Sequence, residues 1–109
     1  MIDIFFKYKL PIVDGIIEIE LPTKGGVTEI VEQNEELFIW ALVDANTPLK
    51  TKKFIMFPTG KQIEEIHKLR FIKTVVMSNG LVWHIFIVDE LLENFTTSET
   101  EIVDSTFKH

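Results

Sequence analysis

A chain of 109 residues, 46% of them hydrophobic, is long enough for one domain with its own core, and the absence of cysteine excludes a disulfide framework and any thiolate metal site. A net charge of −6 and a pI near 5.0 argue against general nucleic-acid binding, because a duplex binder spreads positive charge over a whole face. No apolar run approaches the roughly 20 residues that span a bilayer, and Asp3 breaks the residue order of a secretory leader, so a cytoplasmic protein that makes no membrane contact is expected.

Apolar residues recur mostly with a period of two, the spacing of strands. Ile2, Ile4, Phe6 and Tyr8 alternate with Asp3, Phe5, Lys7 and Lys9. After the turn-forming pair Asp14 and Gly15, Ile17, Ile19 and Leu21 alternate with Glu18 and Glu20, and these two runs read as a first hairpin. Pro22, Gly25 and Gly26 interrupt the pattern, residues 27–33 alternate again, and Asn34 with Glu35 forms a turn. Residues 36–44 are apolar on both faces, as in a central strand. A loop over 46–48 leads to a fifth strand over 52–57, which Pro58 ends because proline cannot donate to a ladder.

The period then changes. Thr59 followed three residues later by Gln62 fits a capping box, and Ile63, Ile66 and Leu69 recur at intervals of three, predicting a helix of two or three turns near 60–69. Two strands over 71–78 and 81–88 flank Asn79-Gly80, a strong hairpin signal; a two-residue turn there pairs Val76 with Trp83 and Val75 with His84. Both faces of that hairpin are largely apolar, so its second face, like that of 36–44, needs a folded-over sheet or another subunit. The expected fold is mainly β, a β-rich α+β chain: an antiparallel meander of about seven strands in a curled sheet, small barrel or sandwich. One short helix and an acidic tail rich in Thr and Ser complete it. Residues 1–89 form the domain and 90–109 a C-terminal extension, and the uncovered strand faces imply a homo-oligomer.

Charge is distributed unevenly. Residues 47–73 carry Lys50, Lys52, Lys53, Lys61, Lys68, Arg70 and Lys73 against Glu64 and Glu65, net +5, which leaves −11 for the rest. A basic segment in an acidic chain implies a local site for an anionic partner. Thr59, Gly60 and Lys61 at a helix start would present free N–H groups, the positive end of the macrodipole and an ammonium to a phosphate, with Lys53 or Arg70 as a second charge. The plainer alternative is that Thr59 only caps and Lys61 is solvated. The missing second glycine and Lys-Ser/Thr pair exclude a P-loop.

Trp40 and Trp83 are candidate stacking faces for an aromatic ligand, and His84 a donor to it; all three also suit a strand core. With three histidines and no His-Glu or His-x-x-x-His pairing, no metal site or cofactor is expected. No Gly-x-Ser-x-Gly elbow or converging carboxylate pair is present, so the expectation is a binding protein without enzymatic activity.

Four short motifs add a resemblance: WALVD over 40–44, Phe54 with Thr59-Gly60 five positions on, FI-x-T over 71–74, and LVWHIF over 81–86. In that order and spacing, over about residues 4–88, the chain resembles a family of small proteins of unknown function encoded mainly by bacteriophages and prophage regions. Pro58 stands where that family tends to have glycine, and the tail runs past its usual end. The resemblance implies a phage origin, hence the bacterial host cytoplasm, and no established activity. Two functions fit: sequestration of a phosphorylated, nucleotide-like host defence signal, or an acidic interaction module that inhibits or mimics a partner of a host or virion protein.

Overall fold

The computed structural model describes residues 2–89, and seven antiparallel strands supply nearly all of its regular structure. These are β1 (Asp3–Leu10), β2 (Ile16–Pro22), β3 (Gly25–Gln33), β4 (Glu36–Asp44), β5 (Leu49–Pro58), β6 (Leu69–Val76) and β7 (Val82–Val88). They form two sheets, one ordered β1-β4-β3 and the other β2-β5-β7-β6, which do not close into a barrel. The expectation of a mainly β chain of about seven strands holds. The expected extension at 90–109 lies outside the described residues.

Alternation decides which side chains enter the core. In the first sheet Leu10, Ile30, Leu37, Ile39, Ala41 and Val43 point inward and are buried; in the second Ile17, Leu21, Phe54, Met56, Val75, Ile85 and Ile87 meet them. The folded-over second sheet covers one face each of the central strands β4 and β7, while the outer face of β4 keeps Trp40 and Leu42 exposed. Full burial of a side chain the size of Phe54 stabilises by about 2–3 kcal/mol.

The first hairpin read from the sequence does not form. β1 pairs with β4, from Asp3 opposite Asp44 to Leu10 opposite Leu37, and β2 pairs with β5, from Ile16 opposite Ile55 to Pro22 opposite Leu49. Residues 11–15 carry the chain from one sheet to the other instead, so the order departs from a simple meander. Asp14-Gly15 makes a bend, but five intervening residues cannot act as a two-residue hairpin turn. Two further crossings are bonded together. Thr23 donates its N–H and hydroxyl to Pro48 O at 2.7 and 2.6 Å, and Lys24 N–H reaches Thr47 Oγ1 at 3.2 Å. Beside them Asp44, buried, accepts the N–H groups of Asn46 and Ile2, and the Asn46 bond first of all holds its carboxyl below the usual range. That aspartate is a corner latch.

Asn34 and Glu35, both with positive φ (54° and 65°), join β3 to β4 in the two-residue turn expected of them. The helix expected near 60–69 is reduced to one turn of 3-10 helix, Ile66–Lys68. Glu65 takes a left-handed conformation, which interrupts any α-helix through it, and the Lys61 N–H closes a turn on Pro58 O. Thr59 makes no cap; its hydroxyl lies 2.8 Å from His84 Nε2. The three-residue spacing of Ile63, Ile66 and Leu69 therefore marks one short turn, not an amphipathic face.

The last hairpin forms one residue out of the expected register. Val76 faces Val82 and Val75 faces Trp83, because the connection is a three-residue loop in which Gly80 N–H bonds Met77 O and Met77 N–H bonds Leu81 O. Only Gly80 has positive φ there (92°), as in a type I turn followed by a left-handed glycine. With both faces apolar, no polarity difference penalised the slip.

Candidate functional site

Edge strands β3 and β6 face each other across an open seam of the sandwich, and each carries a bulge at the same level. In β3 the register shifts between Val27 and Glu29; in β6 it shifts between Phe71 and Lys73. The second shift changes the chemistry of the seam. In an unbroken strand Arg70 and Lys73, three residues apart, point to opposite faces; the extra residue Ile72 turns both toward the inner side, opposite Ile87 and Ile85. Lys52 joins them from β5, on the face that Phe54 and Met56 share, opposite Ile19.

Between them lies a cleft of about 350 Å³. Leu21, Val27, Ile72 and Ile87 give it apolar walls, Gly25 and Gly26 bring backbone to its edge, and Lys52, Arg70 and Lys73 supply cations against one carboxylate, Glu29. Glu29 is already used: the Lys73 ammonium hydrogen-bonds and ion-pairs with it, which first of all holds its carboxyl below the usual range, and the Ile30 N–H acts in the same direction. One step along the seam, Glu32 accepts the N–H and hydroxyl of Ser78, and the hydroxyl bond is the main reason its carboxyl is held low too. Among the described residues Lys52 and Arg70 have no ion pair or side-chain hydrogen bond, so the cleft carries two uncompensated positive charges in a chain of net −6.

The residues singled out from the sequence are dispersed. Arg70 alone lines the cleft. Lys53 lies on the other face of its sheet, opposite Glu18, and Lys61 pairs with Asp14 at 2.9 Å in a turn that has no helix behind it, so the macrodipole argument for Thr59, Gly60 and Lys61 lapses. His84 is brought next to Thr59 and also to Thr74, whose hydroxyl is 2.8 Å from Nδ1; a neutral imidazole donates to one hydroxyl and accepts from the other. Trp40 is exposed on the outer face of the first sheet. Trp83 packs partly buried against the core with its indole N–H lacking an acceptor, so the two tryptophans cannot sandwich one ligand.

Lys52 and Lys73 were legible only in part. Lys52 continues the even-numbered face of Phe54 and Met56, a lysine at the end of a buried row; Lys73 needs the bulge, for which the sequence carries no signal. Among the described residues no cluster of three or more metal-ligating side chains occurs, and no helix is long and apolar enough to cross a membrane.

Two packed antiparallel sheets with a cleft at one seam place the protein among small all-β sandwich domains. More specifically, the model of a domain of unknown function, DUF7352, matches residues 1–94, and the chain belongs to that family. No curated protein and no solved structure matches it.

Proposed function

We propose that the protein is a non-enzymatic binding protein whose cleft between β3 and β6 takes a small molecule with an anionic group and a flat or apolar body, of the nucleotide-like kind. The carrying observation is the pair Lys52 and Arg70, two cations without carboxylate partners among the described residues, at a concave, partly apolar site. A phosphate fits between the ammonium and the planar guanidinium fork, which favours bidentate oxygens, while Ile72, Val27 and Leu21 cover the body. In a phage or prophage setting, which the sequence resemblance implies, such binding would remove a host defence signal from circulation. The acidic-module alternative has weaker support. Glu29 and Glu32 are committed to Lys73 and Ser78, and Glu18 lies opposite Lys53.

Calorimetric titration against inorganic phosphate and mono-, di- and cyclic nucleotides tests the reading. Lys52→Glu and Arg70→Glu should each weaken binding at least about tenfold, the scale of one charge-assisted hydrogen bond, while Lys61→Glu leaves it unchanged. Loss of binding in Lys61→Glu alone would move the site to the turn after β5. No heat and no rise in melting temperature with any of these ligands would defeat the reading.

A further inference from the structure

Burial of Leu37, Ile39, Ala41 and Val43 turns the other residues of β4 outward, and with them Phe38, Trp40 and Leu42. Register adds their neighbours on the outer face of the first sheet, giving three cross-strand rows in the order β1, β4, β3. These are Phe5, Leu42 and Gly26; Lys7, Trp40 and Glu29; and Lys9, Phe38 and Val31. Phe5 is 56% exposed, Leu42 40% and Trp40 37%. Most charges at the patch are matched within the protomer: Lys9 pairs with Glu36 and Glu29 turns to Lys73 at the seam, while the Lys7 ammonium donates to Gln33 Oε1 and lies 4.5 Å over the Phe38 ring. This surface is therefore close to neutral in a chain of −6, where any self-association needs a face that does not repel its own copy.

We infer that this face is a homodimer interface, with a second copy of the chain packed on it about a two-fold axis parallel to β4. That axis exchanges the two edge strands, so each β1 residue lies over the β3 residue of its own row. Phe5 then fills the space above the partner's Gly26, where an added Cβ would meet nothing within 4 Å. The two Trp40 rings then meet at the centre. A two-fold axis across the strands would instead set Lys7 over Lys7, and the row pattern disfavours it. The fit is thus one of size, and it is self-complementary as an isologous contact requires. Strands of this length, three abreast, cover roughly 15 by 28 Å. With side-chain relief, that reaches the low end of specific interfaces, about 1,200 Å² over both partners, so the dimer should be in exchange with monomer at micromolar concentration.

Sedimentation equilibrium of the full chain over the micromolar range tests this. Wild type should show a monomer–dimer equilibrium. Trp40→Glu, which sets two carboxylates against each other, and Gly26→Phe, which fills the recess, should each weaken it at least tenfold. Gly26→Phe has open space in the protomer, so its melting temperature when dilute should match that of wild type, separating interface loss from misfolding. Phe71→Glu, on the outer face of the other sheet, should leave the dimer intact. A wild type that stays monomeric, a dimer that survives both Trp40→Glu and Gly26→Phe, or one that dissociates only in Phe71→Glu would overturn the assignment.

Discussion

Gly25 and Gly26 are adjacent in sequence, yet methyl groups on them should have opposite consequences. At Gly25 an added Cβ would sit 2.6 Å from Val43 Cγ1, 2.7 Å from Leu42 O and 2.7 Å from Val43 Cα, and φ is +153°, a conformation that L side chains rarely adopt. Two of those three neighbours are backbone atoms of the central strand β4, which cannot rotate away, and Val43 is itself buried. Relief requires β3 to lift from β4 by several tenths of an ångström, beside the crossing where Lys24 O accepts the Asp44 N–H. Overpacking of this kind costs about 1–3 kcal/mol and the backbone strain about 1 kcal/mol more, so Gly25→Ala should destabilise by about 2–4 kcal/mol. For a domain of this size that is a fall in melting temperature on the order of 10 to 25 °C. Gly26→Ala meets nothing within 4 Å and should stay within about 0.5 kcal/mol of wild type. Thermal unfolding followed by circular dichroism on dilute protein reads both. Equal melting temperatures for the two variants, or a Gly25→Ala protein as stable as wild type, would refute the argument from strand contact.

The seam between β3 and β6 should be acid-labile. Glu29 and Glu32 have lowered pKa values when folded, so their contribution is complete above the ordinary glutamate value of about 4.3 and is lost as pH falls through the lower folded values. Urea unfolding as a function of pH should show the loss of stability setting in below about pH 4.3, and a Glu29→Gln, Glu32→Gln double variant should show a shallower slope; equal slopes would exclude these latches as its source. At the last hairpin, Gly80→Val should cost about 1–2 kcal/mol through its left-handed backbone, and Gly80→Asn clearly less. Equal melting temperatures in those two variants would contradict the three-residue loop.

Local rules were readable where the partner lies nearby in sequence. Asn34 and Glu35 sit between strands that pair with each other, and the alternation of Ile17, Ile19 and Leu21 marks a strand whatever its partner. Pairing at a distance was not readable: nothing in residues 3–10 says that Leu37 and not Ile17 lies across from Leu10. The helix failed because a capping-box spacing is a local preference, and Glu65 in its left-handed conformation with the Thr59–His84 contact overrides it. The candidate site was legible as a basic stretch and no further. Which of its cations converge depends on one extra residue in β6, and a strand with apolar residues on both faces gives no period from which to locate a bulge.

Topology also sets an order on the assembly of the chain. β1 and β4 join residues 27 to 41 positions apart, and β2 and β5 residues 27 to 39 apart, whereas β3–β4 and β6–β7 are closed by loops of two and three residues. Closing a loop costs entropy before any contact repays it, so the two short hairpins are the elements able to form early, and β1 and β2 must wait. As the polypeptide emerges from its amino end, the first strand has no ladder until Leu37 to Asp44 have been made, and the second has none until Leu49 to Ile55 follow. Ile4, Phe6, Ile17 and Ile19 spend that interval unpaired, and Lys7, Lys9, Glu18 and Glu20, interleaved among them, keep such segments from pairing with one another in the wrong chain.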